Sequence, residues 1–245
     1  MRLVLVDKKT EAEGTKSFFF EPEEIVSYLP GQYFYFTLPK LKFPDERGDT
    51  RHFTLSSSPT EGKTLRITTR VREESGFKKT LDELPFGSNL EGRGPNGTFC
   101  IPSSGLLAGR QVFIAGGIGI TPFRSIIKFS ADKNYKTPIH LIYSNSTPEQ
   151  ITFRKELEEF AQNHKNIKVF MTVSKPEEGR ELWTGLIGRV DEKMINMLYQ
   201  PYLFAFDVLM YGDIKRRNVV NAVIERNIGI AHKRRQIVEL IVEDP

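Results

Sequence analysis

The sequence is poor in cysteine and histidine. Among its 245 residues there are four histidines and one cysteine, Cys100. A single thiol cannot form a disulfide within the chain, and it cannot hold an iron–sulfur cluster, which takes four ligands. So few histidines argue equally against a structural zinc site. We therefore expect no metal centre in this chain.

The chain also lacks long apolar runs and a strong charge of either sign. No run approaches the roughly 20 apolar residues of a membrane span, and the apolar start at residues 1–6 is too short for a signal peptide. The net charge of +4, from 35 basic and 31 acidic residues, does not indicate nucleic-acid binding, but it suits an anionic nucleotide or an acidic partner. We expect a cytoplasmic globular protein.

Residues 1–105 have the pattern of an all-β domain. Short apolar runs alternate with Gly and Pro, which predicts an antiparallel barrel or sandwich. The segment 94–97, with two glycines and a proline, is interpreted as a turn. One segment differs, because residues 77, 81 and 84 have the apolar spacing of a short helix. The predicted strands are Leu3–Val6, Ser17–Phe20, Tyr33–Leu38, His52–Leu55 and Leu65–Val71.

From residue 106 onward, predicted strands alternate with helices, which indicates a doubly wound parallel sheet. The predicted strands are 112–115, 139–143, 167–173, 208–211 and 236–242. Helices are predicted to begin at Thr121, Thr147, Asp191 and Asp213, with Thr147, Pro148 and Gln150 forming a capping box. We therefore predict two domains, a β-barrel at residues 1–105 and an α/β domain at residues 106–245.

Two segments are candidates for ligand binding. Arg51 is a permanent cation that suits a phosphate, and Phe53 lies on the same face of the predicted strand. By itself this segment is equally compatible with an ordinary strand that carries a solvated arginine. The second segment, residues 116–122, follows a strand and begins a helix, where glycines and open N–H groups suit a pyrophosphate. It lacks the Lys-Ser/Thr of a P-loop, so ATP or GTP hydrolysis is disfavoured, and a tight turn without a ligand is the alternative.

Several segments, in order, resemble motifs of the ferredoxin–NADP reductase superfamily. Residues 51–54 (Arg-His-Phe-Thr) resemble its Arg-x-Tyr-Ser flavin motif, and residues 75–78 (Ser-Gly-Phe-Lys) resemble its second flavin segment. Residues 116–122 (Gly-Gly-Ile-Gly-Ile-Thr-Pro) resemble its nicotinamide-nucleotide loop, and further matches lie at 94–99, 143–145 and 183–189. The resemblance implies an FAD-binding β-barrel followed by an NAD(P)-binding α/β domain, without an iron–sulfur domain.

The resemblance also implies a role for each matching residue. Phe53 would stack on the isoalloxazine, and Thr54 would be catalytic through a hydrogen bond near flavin N5. FAD is preferred to FMN, because a diphosphate gives both Arg51 and the helix at Ser75 something to bind. The implied flavin-binding residues are Arg51, His52, Phe53, Thr54, Thr69, Ser75, Gly76, Phe77 and Lys78. The implied nucleotide-binding residues are Gly116, Gly117, Gly119, Thr121, Pro122, Ser144, Ser174, Lys175, Arg180, Tyr211, Gly212 and Asp213.

Within the second set, Ser174, Lys175 and Arg180 would contact the 2′-phosphate of NADP, although a solvated polar loop explains them equally well. The sequence therefore leaves the choice between NADH and NADPH open.

The sequence departs from the family pattern in three places. The family's Cys-Gly-Pro, beside the nicotinamide, is replaced by Tyr-Gly-Asp at residues 211–213. The chain has no aromatic residue at its C-terminus, which ends in Asp-Pro. Glu239 matches the acidic residue of a family Glu-x-aromatic motif and is a second candidate catalytic residue, but Ile241 replaces the aromatic.

The resemblance implies a flavoprotein reductase that transfers a hydride from NAD(P)H to bound FAD. The electrons would go to an external acceptor, which is a ferredoxin- or flavodoxin-like carrier, a partner subunit or a small molecule. The basic run at residues 215–217 would suit an acidic carrier, and a solvated helix face is the alternative. The replacement at residues 211–213 also motivates a second hypothesis, a flavin-binding electron-transfer or regulatory subunit with altered or lost nicotinamide chemistry.

Overall fold

The computed structural model describes residues 1–100, 110–199, 206–212 and 238–240. The chain divides into two compact units, one of Met1–Gly105 with Thr121–Tyr135 and one of Leu106–Ile120 with Lys136–Pro245. The predicted domain boundary at residues 105 and 106 lies outside the described residues and stays a prediction.

The first unit is built on an antiparallel sheet, as the spacing of its apolar runs predicts. Its six strands are ordered β4-β3-β6-β1-β2-β5, and a bridge between Leu55 and Ile67 joins the two edges. The sheet therefore closes on itself at this point. The strands are β1 (Arg2–Ala12), β2 (Thr15–Pro22), β3 (Tyr33–Thr37), β4 (Thr50–Thr54), β5 (Leu65–Arg70) and β6 (Asn89–Asn96), and the unit also holds helices α1 (Gly76–Glu83) and α2 (Thr121–Asp132).

The core of this unit follows the two-residue period of its strands. In β3, Phe34 and Phe36 are buried, whereas Tyr33, Tyr35 and Thr37 are only partly covered. Helix α1 adds Phe77 and Leu81, which are also buried in this core. The helical spacing in the sequence thus predicted both the helix and the face that it buries.

Strand β6 was not predicted, because its glycines and its proline were interpreted as a turn. Packing explains the glycines. A Cβ atom at Gly92 would lie 2.5 Å from Leu3 Cδ1, and one at Gly94 would lie 2.5 Å from Phe34 Cδ2. Both glycines let a strand pass close to bulky core side chains, so the turn prediction for residues 94–96 is wrong.

The second unit is built on a parallel sheet with strand order β10-β9-β8-β7-β11-β12. Every described pairing in it is parallel, as the alternation of strands and helices predicts. The strands are β7 (Arg110–Gly116), β8 (Ile139–Asn145), β9 (Ile167–Val173), β10 (Leu186–Ile187), β11 (Phe206–Gly212) and β12 (Val238–Leu240), and the described helices are α3 (Arg154–Asn163) and α4 (Glu192–Tyr199).

The helix predicted from Thr147 begins later than expected. A 3₁₀ turn covers Pro148–Gln150, and α3 starts only at Arg154. Phe153 has φ of 61°, a left-handed conformation that an α-helix cannot include. The predicted cap of α4 is confirmed, because Asp191 Oδ1 accepts a 2.8 Å hydrogen bond from the Met194 amide. The helix predicted from Asp213 lies outside the described residues.

A carboxylate binds the N-terminus of α1. Asp45 Oδ2 accepts hydrogen bonds from the Phe77 amide at 2.9 Å and from the Ser75 hydroxyl at 3.2 Å, while Asp45 Oδ1 pairs with the Arg51 guanidinium. Gly76 makes this approach possible, since a Cβ atom there would lie 2.0 Å from the Pro44 carbonyl oxygen. The carboxylate thus satisfies the Phe77 amide at the start of the helix.

The pair between Asp45 and Arg51 is buried, with side chains 7% and 9% exposed. Arg51 also donates to three carbonyl oxygens of its own loop, at 2.7–3.1 Å. Burial opposes ionisation of Asp45, but the Phe77 and Arg47 amides and the Arg51 charge outweigh it, so the pKa of Asp45 is lowered. Removing one partner of such a pair leaves a buried charge uncompensated and costs about 3 kcal/mol or more.

We predict that, in the protein freed of FAD, Asp45→Asn lowers the free energy of unfolding by about 3 kcal/mol at neutral pH. Because the pKa of Asp45 is lowered by folding, its contribution is present above the unfolded pKa of about 4 and is lost as the pH falls through the folded value. The difference between wild type and variant should therefore narrow between pH 5 and pH 3 in urea titrations. Glu46→Gln, at an exposed position in the same loop, should have little effect. A constant difference across this pH range would contradict the assignment.

Candidate functional site

At the start of α1, three groups that the sequence predicted to bind the flavin meet one carboxylate. Arg51, the Ser75 hydroxyl and the Phe77 amide converge on Asp45. Carboxylate and phosphate oxygens accept the same hydrogen bonds, so these three groups have the chemistry needed to bind a phosphate. Asp45 itself was missed, because an aspartate in a loop rich in Pro and Gly carries no specific signal. Lys78 follows in the first helical turn and donates its amide to Ser75 Oγ at 3.3 Å.

Strand β4 places Arg51 and Phe53 on one side, as predicted. The Phe53 ring is 9% exposed and packs against Phe36 and Phe77, with ring centroids 6.0 and 5.9 Å apart. The Arg51 guanidinium lies 5.4 Å from the centroid of the Phe77 ring. His52 points to the other side, within 6 Å of two tyrosine rings. The structure therefore does not bring His52 together with Arg51 and Phe53.

Along most of its length, β4 is an edge strand. Among the described strands its only ladder partner is β3, and only the bridge at Leu55 connects its end to β5. No described strand therefore pairs with the other side of Thr50–Thr54, although the Thr50 carbonyl oxygen there accepts a hydrogen bond from Arg51. Thr54 is 5% exposed at the end of this edge, and Thr69 is buried on β5.

In the second unit, the strand register brings the predicted nucleotide residues into one row. Gly116 pairs with Ser144 on one side and with Gly212 on the other, and Ser144 pairs with Thr172. Each of these residues is the last or the next-to-last of its strand, at the carboxyl edge of the sheet, where parallel α/β domains bind ligands. Tyr211 stands one position earlier, opposite Ala115.

The glycine loop after β7 is supported by a buried tyrosine. Gly117 begins a 3₁₀ turn that contains Gly119, and its φ of 52° is readily adopted by glycine. The Tyr143 hydroxyl donates to the Gly117 carbonyl oxygen at 3.1 Å and accepts from the Thr152 amide at 3.2 Å. Helix α2 then begins directly with Thr121 and Pro122.

Asn145, which the sequence interpretation did not single out as a binding residue, ends β8 at the same edge. Asn145 is 5% exposed. Neither its side-chain amide nitrogen nor its amide oxygen has a hydrogen-bond partner within the part of the chain that the structure describes. Buried amides without partners are costly. The amide can donate two hydrogen bonds and accept two, so it fits the polar groups of a dinucleotide at this edge.

The predicted 2′-phosphate residues lie on one loop after β9. The Ser174 amide donates to the Asn145 carbonyl oxygen at 3.0 Å. The exposed Lys175 Nζ lies 2.7 Å from Glu178 Oε1, and this carboxylate would compete with a phosphate.

Glu149 anchors the far end of that loop. Its carboxylate accepts hydrogen bonds from the backbone amides of Arg180 and Glu181. Its own amide and these two lower the pKa of Glu149 to about 2.

The remaining predicted residues are described only in part. Tyr211, Gly212 and Glu239 lie on strands β11 and β12, but their side-chain surroundings are not described. Asp213 and the basic run 215–217 lie outside the described residues. In the described part of the chain, no group of three His, Cys, Asp or Glu residues is placed to hold a metal ion. Within the same residues, no helix has the length and apolar character needed to cross a membrane.

Comparison with known families finds two oxidoreductase domains in tandem. Residues 2–101 match the family described as oxidoreductase FAD-binding domain. Residues 113–215 match the family described as oxidoreductase NAD-binding domain. The first match covers the antiparallel sheet and α1, and the second covers the glycine loop and most of the parallel sheet.

Two curated relatives illustrate the similarity. A glycine betaine monooxygenase reductase subunit from Chromohalobacter salexigens is 26% identical over 228 residues, which is 93% of this chain and 60% of that protein. NADH-cytochrome b5 reductase 1 from Dictyostelium discoideum is 33% identical over 147 residues, 59% of this chain and 49% of that protein. The aligned part of this chain thus corresponds to about half to three-fifths of these relatives.

Solved structures share the fold. A ferredoxin–NADP⁺ reductase from Plasmodium falciparum superposes with a TM-score of 0.73 at 20% identity, covering 91% of this chain and 90% of that one. The cytochrome b5 reductase domain of Ulva prolifera nitrate reductase gives 0.72 at 20% identity, covering 95% and 93%. The chain therefore consists of an oxidoreductase FAD-binding domain followed by an oxidoreductase NAD-binding domain, and it has the fold of ferredoxin–NADP reductases.

Proposed function

We propose that this chain is an NAD(P)H-dependent flavoprotein reductase that passes electrons from NAD(P)H through bound FAD to an external acceptor. The observation that carries the proposal is the tandem match of an FAD-binding domain at residues 2–101 and an NAD-binding domain at residues 113–215. Each domain also contains an arrangement of polar groups suited to the ligand that its family binds.

In the first unit, the start of α1 would hold the flavin phosphates. Arg51, the Ser75 hydroxyl and the Phe77 amide already bind one anion, and a phosphate would take the place of the Asp45 carboxylate. Phe53 would support the isoalloxazine, and the Thr54 hydroxyl would hydrogen-bond near N5. When bound, FAD supplies the redox chemistry, because it accepts a hydride and releases electrons singly or as a pair.

In the second unit, the carboxyl edge of the parallel sheet would hold the dinucleotide. The amides of Gly117 and Gly119 would contact the pyrophosphate, and the Asn145 amide would bind a polar group of the nucleotide. Thr121, at the start of α2, would lie beside the nicotinamide.

Hydride transfer depends on how the flavin and nicotinamide rings are positioned, and it needs no acid or base. The residues that hold the flavin and the nicotinamide would orient the two rings and exclude water. Thr54 and Thr121 are each 5% exposed, which suits groups that orient ligands away from solvent. Neither residue needs to change its protonation state.

The electron acceptor would be a separate protein or small molecule. One relative is named as the reductase subunit of a monooxygenase, another as the reductase subunit of a demethylase, and others as cytochrome b5 reductases. By analogy we propose a protein acceptor, either a partner oxygenase or a small electron carrier.

We predict that the purified protein binds FAD and is yellow, and that anaerobic NADH or NADPH bleaches the flavin absorbance near 450 nm within seconds, because the nucleotide binds where a hydride can be transferred. Stopped-flow absorbance measures this directly. A yellow protein that keeps its colour would support the alternative of a flavin-binding electron-transfer or regulatory subunit without nicotinamide chemistry. A protein that cannot be reconstituted with FAD or FMN would refute both.

We also predict that Lys175→Ala raises KM for NADPH by about tenfold and leaves KM for NADH nearly unchanged, because only NADPH carries the 2′-phosphate that Lys175 would bind. Glu178→Gln should lower KM for NADPH, since it removes the competing carboxylate. Lys155→Ala, at another exposed lysine of this unit, is the matched control. Equal losses for the two nucleotides would show that Lys175 does not contact the 2′-phosphate.

A further inference from the structure

Helix α2 carries a charged side chain that is almost completely buried. Arg124 is 2% exposed and lies one helical turn after Thr121. Both residues belong to the first unit, together with β4. A buried guanidinium is tolerated only when its donors and its charge are matched.

The partners of Arg124 are on the connection between β4 and β5. Its Nη2 donates to Glu61 Oε1 at 2.8 Å, and its Nη1 donates to the other carboxylate oxygen of Glu61. The same Nη1 donates to the Ser56 carbonyl oxygen at 2.9 Å. Beside it, the Ser125 hydroxyl donates to the Ser57 carbonyl oxygen at 2.6 Å. Two consecutive residues of α2 thus bind two consecutive carbonyls that follow β4.

The connection that receives these bonds is itself rigid. Residues 56–58 are at most 3% exposed. The Ser56 hydroxyl is bonded to Thr68 Oγ1 at 2.8 Å, and the Ser57 hydroxyl is bonded to the Tyr28 hydroxyl at 2.9 Å. The connection at residues 56–58 is therefore too rigid to compensate for a displacement of α2.

Glu61 carries its negative charge in this arrangement. Partial burial opposes its ionisation, but the Arg124 guanidinium and the Ser58 amide outweigh it, and the pKa of Glu61 is lowered. The bidentate geometry fixes the direction of the guanidinium as well as its distance.

We propose that Arg124, held by Glu61, is a positioning residue for hydride transfer. It fixes the first turn of α2, with Thr121, relative to the end of β4, with Thr54. This inference rests on the proposed function, in which those two threonines orient the nicotinamide and the flavin. Arg124 would contact neither cofactor, and it would act by setting the separation of the residues that do. A misplacement of about 1 Å is enough to slow such a reaction by on the order of 100-fold.

The test measures binding and hydride transfer separately in Arg124→Gln, Arg124→Lys and Glu61→Gln. For Arg124→Gln and Glu61→Gln we expect the rate of flavin reduction at saturating nucleotide to fall by about 100-fold. The FAD dissociation constant, from flavin fluorescence, and KM for the nucleotide should change by less than about threefold, because the cofactor contacts themselves are intact. Arg124→Lys keeps the charge and should recover about tenfold of the loss.

Two further variants make the result specific. Lys133→Gln changes an exposed lysine directly after the same helix, and its bound flavin should be reduced at the wild-type rate. Ser125→Ala removes only the bond to the Ser57 carbonyl, so it allows the test if the Arg124 variants do not fold. We expect it to lose about threefold to tenfold in rate, with unchanged FAD affinity.

The possible outcomes separate this inference from the proposed function. Wild-type protein that binds FAD but is not bleached by NADH or NADPH overturns both. Bleaching by wild type with unchanged rates in the folded Arg124 and Ser125 variants overturns only the positioning role. A parallel loss of FAD affinity and rate would mean that the pair merely supports the flavin site, and this also overturns it. An altered visible circular dichroism of bound flavin in Arg124→Gln, at unchanged FAD affinity, supports it.

Discussion

The first unit depends on how one buried carboxylate is satisfied. Asp45 accepts the Phe77 amide at the start of α1 and neutralises Arg51, whose side chain is 9% exposed. Without an anion at this point, the Phe77 amide would lose its partner and the buried Arg51 charge would be left uncompensated. The Asp45 contacts therefore connect the loop before β4, β4 itself and α1. A phosphate ligand could accept the same hydrogen bond and pair with the same guanidinium.

Most of the architecture could be predicted from the sequence. The period of the apolar residues predicts the strands of the first unit and the buried face of α1, and the alternation of strands and helices predicts the parallel sheet. Strand β6 could not be predicted, because Gly92 and Gly94 are needed where the strand passes close to Leu3 and Phe34, and these contacts are distant in sequence. The start of α3 was misplaced because the left-handed conformation of Phe153 has no sequence signal.

Contiguous motifs singled out residues that the structure brings together, since Arg51 and Ser75 both contact Asp45. A residue that acts through a distant partner was not predictable. The bonds of Arg124 to Ser56 and Glu61 join segments more than 60 residues apart. The buried amide of Asn145 becomes notable only when its surroundings are known. Single residues whose roles depend on tertiary contacts were therefore the ones missed.

We propose that the start of α1 holds the flavin phosphates, and a crystal structure of the protein with bound FAD would decide this. We expect a phosphate oxygen to accept a hydrogen bond from the Phe77 amide and to lie within hydrogen-bond distance of Arg51, with the Asp45 side chain turned away. An Asp45 carboxylate still bonded to the Phe77 amide, with the phosphates bound elsewhere, would contradict it.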